Sequence, residues 1–253
     1  MEKGYFAAAW GDVTKSPGWA LIMLRLGLLC LVPVFGIVVV YGYLFSWARD
    51  IAWNVHRPLP RKIFVNEDGN LYRRGFFIFV VALVFSLVPG IANCFIGVLA
   101  GFSFGGATVY GSYVPALFGS MIWLAGNSAS VVLSVFAVLF FWVGAMRVSL
   151  YGTLSSGFQI KKIWAMMKHD FIGLLRIVGM AILIAMAIAI STMALVLFFA
   201  LMCGGLIWLM SSGSSTSMVA AVLIVLLGAA FFALLLFASA FQYALVFRAL
   251  GYW

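Results

Sequence analysis

The chain has 253 residues, a net charge of +9 at pH 7 and a mean hydropathy of +1.20, with 66% hydrophobic and only 8% charged residues. These values lie outside the range of soluble domains, and several apolar runs exceed the roughly 18 residues that suffice to cross a bilayer. The sequence therefore predicts an integral membrane protein, and we expect no nucleic-acid partner, because the cations flank apolar runs where they meet lipid headgroups.

The first segment, up to Lys15, predicts an amphipathic helix lying on the membrane surface. Its apolar residues recur at the spacing of one helical face, and the charged residues fall elsewhere. The apolar positions are Phe6, Ala9, Trp10 and Val13. Pro17 and Gly18 end this helix.

The apolar run from Trp19 to Trp47 contains Pro33 and Gly36, which predict a helix break. Each arm of about 14 residues is roughly 21 Å long, short of the ~30 Å hydrocarbon core, so a re-entrant helical hairpin fits this run. The alternative is one kinked span with the N-terminus outside. Charge near the N-terminus does not decide between the two.

Residues 48 to 74 are strongly basic, and the positive-inside rule assigns them to the cytoplasm. Within this stretch Glu67 and Asp68 lie in an Asn/Asp/Gly sequence typical of a turn, without the spacing of a calcium loop. We expect cations here and in a later basic segment to contact anionic lipid: Arg61, Lys62, Arg73, Arg74, Lys161, Lys162 and Lys168.

Residues 75 to 98 predict the first span, kinked near Pro89. A stripe of small residues follows at spacings of four, and such stripes let another helix approach closely, within the chain or in a homo-oligomer. The stripe consists of Gly97, Gly101 and Gly105. Residues 109 to 127 predict a short segment at the outer interface or re-entering the membrane, and 130 to 145 the next span.

Residues 157 to 170 predict a second amphipathic helix, basic and at the cytoplasmic surface. Two more spans follow, over 172 to 202 and 218 to 247, which places the C-terminus inside. We expect an all-α polytopic protein of the cell (inner) membrane, with about four full spans, a re-entrant or short hairpin near Pro33 and two interfacial helices, forming one domain over 1–253.

The chain contains a weak internal repeat, 1–56 against 152–253. The apolar face of the first amphipathic helix can be aligned with Ile160, Ile163, Trp164 and Met167 of the second. Each of the two amphipathic helices is followed by an apolar run that has a Leu-Arg pair near its start, with the arginines at Arg25 and Arg176. An intramembrane cation often faces a partner or a cavity, although both arginines lie close enough to the run's start to snorkel to the headgroups.

Catalytic motifs are absent from the sequence: we find no nucleophile elbow, HExxH, P-loop or paired-cysteine motif. The two histidines lie in separate basic segments, and the three cysteines are widely spaced inside apolar runs. We therefore expect no enzyme activity, no catalytic residue, no metal site and no cofactor.

The stretch from Gly18 to Pro60 resembles the N-terminal signature of a prokaryotic membrane-protein family known as domain of unknown function 4013. The residues that carry the resemblance are Pro33, Gly36, Gly42, Tyr43, Leu44, Arg49, Leu59, Pro60 and Gly75. The family tends to have Trp and several Asp after Leu-Pro, where this chain has Arg61-Lys62-Ile63-Phe64. The resemblance implies a topology and no activity. A looser similarity to membrane regions fused to some glycerophosphodiesterases implies a lipid-facing accessory role.

Two functions remain after the sequence is read. The first is an accessory or scaffold subunit that binds membrane lipids and a partner protein or a second copy. The second is a small-solute or lipid transporter or channel, in which Arg25 and Arg176 face one polar cavity between the repeats.

Overall fold

The computed structural model describes residues 4–64, 69–110, 113–211 and 217–253, and only the backbone at 105–110, 113–115, 206–211 and 217–221. All its regular secondary structure is helical, which confirms the predicted fold class. The α-helices are α1 Tyr5–Thr14, α2 Trp19–Leu29, α3 Phe35–Ala52, α4 Leu71–Tyr110, α5 Tyr113–Tyr151, α6 Ile160–His169, α7 Phe171–Ser211 and α8 Ser217–Tyr252. A 3-10 helix, Leu154–Phe158, precedes α6.

Four helices, α4, α5, α7 and α8, contain segments of 31 to 36 residues that are long and apolar enough to cross a membrane. Their number agrees with the four predicted spans, and the chain is a multi-pass membrane protein. Each segment is at least roughly 46 Å long at 1.5 Å per residue, well beyond the ~30 Å hydrocarbon core. Part of every long helix therefore extends past the hydrocarbon.

The chain divides into two compact units, Met1–Gly75 with Asp170–Trp253, and Phe76–His169. The first unit is centred on α8, which packs against α1, α2, α3 and α7. Close approaches to α3 or α8 require glycine where an added Cβ would strike a backbone carbonyl: Gly27 on Leu236, Gly42 on Leu71, Gly75 on Val38 and Gly251 on Ala48.

Helices α2 and α3 form a hairpin. Pro33 lies between them, Val34 has a φ of 62°, and Gly36 in the first turn of α3 leaves no room for a Cβ against the Leu29 carbonyl. The two ends of the hairpin lie side by side, since the Leu59 amide donates to Ser16 Oγ at 2.9 Å. The 11 residues of α2 extend only about 16 Å.

The second unit packs the C-terminal part of α5 against the 3-10 helix and α6. Gly144 and Gly157 permit this contact, because a Cβ on Gly144 would lie 2.9 Å from the Gly157 carbonyl oxygen. On α6, Ile163 and Met167 are fully buried, while Ile160 and Trp164 are exposed.

Two long helices differ from the sequence-based prediction. Residues 113 to 127 form the beginning of α5, whereas we expected a separate interfacial or re-entrant segment over 109–127. Pro115 is only the third residue of α5, where a helix tolerates proline because the first amide groups have no partner within the helix. Helix α4 begins before the predicted span and continues through Pro89.

Burial changes along the spanning helices. In α8 the side chains are largely buried from Ala240 to Gly251, and in α5 residues 142 to 149 are all buried. Beyond these buried bases the described parts of both helices expose large apolar side chains, such as Phe232 and Leu124. The exposed apolar parts suit the hydrocarbon, and the buried bases carry the polar contacts described below.

Candidate functional site

A basic groove lies beside α2. It has a volume of about 530 Å³, and its lining combines three cations, Arg25, Arg61 and Lys62, with apolar side chains. Arg25 is exposed on α2, whose buried residues are Ile22, Met23, Leu26 and Gly27. The structure thus brings together an arginine predicted as an intramembrane charge and two residues predicted as lipid contacts.

The loop after α3 is fixed in place, and it carries Arg61 and Lys62. The Tyr43 hydroxyl donates to the Pro60 carbonyl, and Trp47 Nε1 donates to the Arg57 carbonyl at 3.1 Å. Leu59 is 1% exposed and Ile63 is 6% exposed, so apolar burial anchors the loop on both sides of the two cations. The groove is therefore preformed.

The three cations of this groove repel one another. None of them makes a hydrogen bond or an ion pair with another residue of the described part of the chain. Glu67 and Asp68, the predicted turn carboxylates, lie outside the described residues. An anion in the groove would relieve the repulsion, and the apolar walls formed by Leu28, Leu29, Ile63 and Phe64 suit a hydrocarbon chain.

Arg176 lines a different groove of about 660 Å³, between α1, α7 and α8. Its other walls are almost entirely apolar, including Met180, Ile184 and Leu245. Within the described residues, Arg25 and Arg176 thus line different grooves. The transporter hypothesis requires the two arginines to share one cavity.

The remaining predicted residues are dispersed. Gly97 and Gly101 are exposed, and among described residues nothing lies within 4 Å of a Cβ built on either, while only the backbone is described at Gly105. Arg73 is exposed and Arg74 is 6% exposed. Lys161, Lys162 and Lys168 are exposed on α6, where Lys168 Nζ lies 5.9 Å from the centre of the Trp164 ring.

The most buried charge, Arg248 in α8, was missed by the sequence analysis. Its side chain is 1% exposed and pairs with Asp12 of α1 at 2.7 Å. It also donates to the carbonyls of Trp47 and Arg57, at 2.6 and 3.3 Å, and lies over the Trp47 ring at 4.0 Å. The Tyr252 hydroxyl donates to the same Asp12 oxygen at 2.8 Å. This network joins α1, α3, the following loop and α8.

Arg147 of α5 has the equivalent place in the second unit. It is 6% exposed and donates to the Ser156 carbonyl at 3.2 Å, to Gln159 Oε1 at 3.0 Å and to Met166 Sδ at 3.3 Å. In three helices the guanidinium of an arginine lies near the aromatic ring of the residue four positions later: Arg49 with Trp53, Arg147 with Tyr151 and Arg248 with Tyr252.

Asp170 has a structural role at the start of α7. Its Oδ1 accepts from the Gly173 amide at 2.9 Å, which caps the helix, and its Oδ2 accepts from the Tyr5 hydroxyl at 3.1 Å. Among the described residues, no group of three or more His, Cys, Asp or Glu side chains is placed to hold a metal ion.

The family assignment rests on a sequence profile. A family described as "Protein of unknown function (DUF4013)" matches residues 25–197, more than half of the chain. The signature residues from Pro33 to Gly75 lie inside this range, which confirms the resemblance. No curated protein and no solved structure matches the chain. The basic groove begins at Arg25, inside the matched region, and the protein belongs to the DUF4013 family, whose function is not known.

Proposed function

We propose that this protein is an accessory or scaffold subunit of the cell membrane that binds anionic lipid at the cytoplasmic face and associates with a partner membrane protein or a second copy. The observation that carries the proposal is the basic groove of Arg25, Arg61 and Lys62. Three unpaired cations next to an apolar wall, within the described residues, are complementary to a phosphate with its acyl chains.

The proposal requires the groove to lie at the headgroup layer on the cytoplasmic side. The tip of the α2–α3 hairpin supports this placement, because Leu31, Val32 and Val34 are apolar and exposed. We infer that the tip enters the hydrocarbon and that the hairpin is re-entrant, with α1 and the C-terminus of α8 both cytoplasmic. Arg25 then lies roughly 9 Å along α2 from Trp19, within reach of the headgroups.

Cysteine labelling tests this topology. In a cysteine-free background, Lys15→Cys in the intact cell should react only after a permeable reagent is used, whereas Gly213→Cys, in the predicted outer loop, should react with an impermeant one. If both positions react with the impermeant reagent, the N-terminus is outside and the re-entrant hairpin is wrong.

Lipid retention tests the groove. The protein is reconstituted into nanodiscs of phosphatidylglycerol and phosphatidylcholine, and the lipids that stay bound are counted by native mass spectrometry. Replacing Arg25, Arg61 and Lys62 together by Gln removes three cations worth ~1 kcal/mol each, so we expect on the order of a hundredfold weaker phosphatidylglycerol binding.

The matched control has the same change of charge elsewhere. Lys161, Lys162 and Lys168 are exposed on α6, where we expect only a surface contact with anionic lipid, so replacing all three by Gln should leave most of the retained phosphatidylglycerol in place. An equal loss in the two triple variants would show nonspecific attraction to the basic surface. That result would contradict a lipid site at the groove.

The proposed association with a partner or a second copy is based on Gly97 and Gly101, where nothing among the described residues lies within 4 Å of an added Cβ, so another helix can approach closely. Replacing both by Ile should disrupt a helix–helix contact, and we expect the size of the complex, measured by native mass spectrometry from nanodiscs, to fall. Gly204→Ile is the control, because this glycine is also exposed without a neighbour within 4 Å among described residues. A monomer in every variant and in the wild type, with no co-purifying protein, would contradict association.

A further inference from the structure

The Arg176 groove is a second cavity of the first unit, separate from the basic groove. We propose that it holds one acyl chain of an anionic glycerophospholipid, with the lipid phosphate on Arg176. The inference deepens the lipid-binding part of the proposed function by assigning a second, chain-specific site.

The dimensions of the groove suit one hydrocarbon chain. Its volume of about 660 Å³ is in the range of small-molecule sites, about 300–1,000 Å³. Along α7 the lining runs from Arg176 to Ile184, a distance of roughly 12 Å. Gly179 and Ala181 are small residues and leave space in the groove along α7. A Cβ on Gly179 meets nothing within 4 Å among described residues.

The charge pattern selects an anionic headgroup. Arg176 is exposed at one end of an otherwise apolar lining, and it makes no hydrogen bond or ion pair within the described residues. A neutral chain alone would gain little, because surrounding lipid is as apolar as the groove. The phosphate contact with Arg176 therefore supplies the preference, and the groove supplies the place for the chain.

Helix α1 makes the groove a built site. Residues 4 to 7 form the wall facing α7, and α1 is fixed at both ends, by Tyr5 donating to Asp170 Oδ2 at 3.1 Å and by Asp12 pairing with Arg248 at 2.7 Å. The wall is therefore in position before a lipid enters, and binding does not bear the cost of ordering a helix.

The test uses phosphatidylglycerol with a photoactivatable group in one acyl chain, added to nanodiscs of phosphatidylcholine that contain the full-length protein. In the wild type we expect the crosslinks on α7 and α8 to be concentrated on Met180 and Leu245. Gly179→Leu fills the groove and should reduce these crosslinks at least fivefold. Gly204→Leu, the same change on an exposed part of α7, should leave them unchanged.

Arg176→Gln tests the headgroup contact. It should reduce the preference for phosphatidylglycerol over phosphatidylcholine about fivefold while crosslinks from a phosphatidylcholine probe persist. Equal crosslinking in wild type and Gly179→Leu, or crosslinks spread evenly over exposed residues outside the groove such as Ile190 and Leu197, would overturn the inference. Since the probe reports on α7 and α8, that failure is distinct from a failure of the basic groove, which the Arg25, Arg61 and Lys62 variant reports.

Discussion

The two short helices α1 and α6 each pack, within their own unit, near a buried arginine, but the partners of the two arginines differ in charge. Both bury the second and fourth residues of their apolar stripes, Ala9 and Val13 in α1, and Ile163 and Met167 in α6. Both dock near a buried arginine of a long helix. In the first unit this arginine meets a carboxylate, and in the second it meets only neutral partners among the described residues.

This difference indicates how firmly each helix is held. A hydrogen bond to a charged acceptor is roughly twice as strong as one between neutral groups, and a buried charge is costly to leave unpaired. The contact of α1 with its buried arginine is therefore concentrated in the carboxylate of Asp12, whereas the contacts of Arg147 are distributed over Ser156, Gln159 and Met166. Four experiments test this contrast, in order of decreasing expected effect.

Removing the carboxylate that binds Arg248 should have the largest effect. Asp12→Ala leaves a guanidinium buried without its counter-ion, and we expect the free energy of unfolding in detergent to fall by about 3–5 kcal/mol. Hydrogen exchange of the α1 amides should accelerate at the same time. Lys15→Ala is the control and should stay within about 0.5 kcal/mol of wild type, because Lys15 is exposed. An Asp12→Ala protein as stable as this control would remove the contrast.

Removing the polar partner of Arg147 should have a smaller effect. Gln159→Ala deletes one hydrogen bond, while the bonds from Arg147 to Ser156 and Met166 remain. We expect a loss of about 1–3 kcal/mol, with faster hydrogen exchange confined to α6. A loss as large as that of Asp12→Ala would mean that a neutral partner holds a helix as firmly as a carboxylate does.

Placing a carboxylate next to Arg147, as Asp12 lies next to Arg248, should strengthen the attachment of α6. Gln159→Glu keeps the length of the side chain and places a carboxylate next to Arg147, so we expect a gain of about 1 kcal/mol and slower exchange of α6 amides. A destabilised Gln159→Glu protein would indicate that the cost of burying the new carboxylate exceeds the attraction.

Truncating the tryptophan of each helix should show where the two units are alike. The Trp10 ring contacts Phe241 with centroids 5.3 Å apart, and the Trp164 ring stacks on Phe140 at 6.2 Å. Trp10→Ala and Trp164→Ala should each lose about 0.5–1.5 kcal/mol of aromatic contact, in addition to apolar burial, and the two losses should agree. Unequal losses of stability in thermal unfolding would show that α1 and α6 share a sequence pattern but not the strength of their aromatic contacts.

The helical architecture was predictable because hydropathy and helical periodicity are local properties of the chain. The spacing of Ala9 and Val13 indicated the buried face of α1 directly. The separate short segment expected over 109–127 differs from the structure for a local reason as well. We treated Pro115 as an interruption, and it lies in the first turn of α5.

The grooves were not predictable, because each depends on contacts between residues far apart in the chain. Arg25 was noticed, but its proximity to Arg61 and Lys62 follows from the way the loop after α3 packs. Neither Arg147 nor Arg248 was singled out from the sequence. Each has an aromatic residue four positions later, but so does the exposed Arg73, which is followed by Phe77, so this spacing alone does not identify a buried arginine.

The pairing of Asp12 with Arg248 has a consequence for biosynthesis, since 236 residues separate the partners. At typical rates of synthesis of about 5–20 residues per second, α1 is made roughly 10–50 s before the helix that holds it. During that time α1 has neither its counter-ion nor the aromatic surface of α8. A chain that ends before Arg248 lacks the side chain that joins Asp12 of α1 to the carbonyls of Trp47 and Arg57.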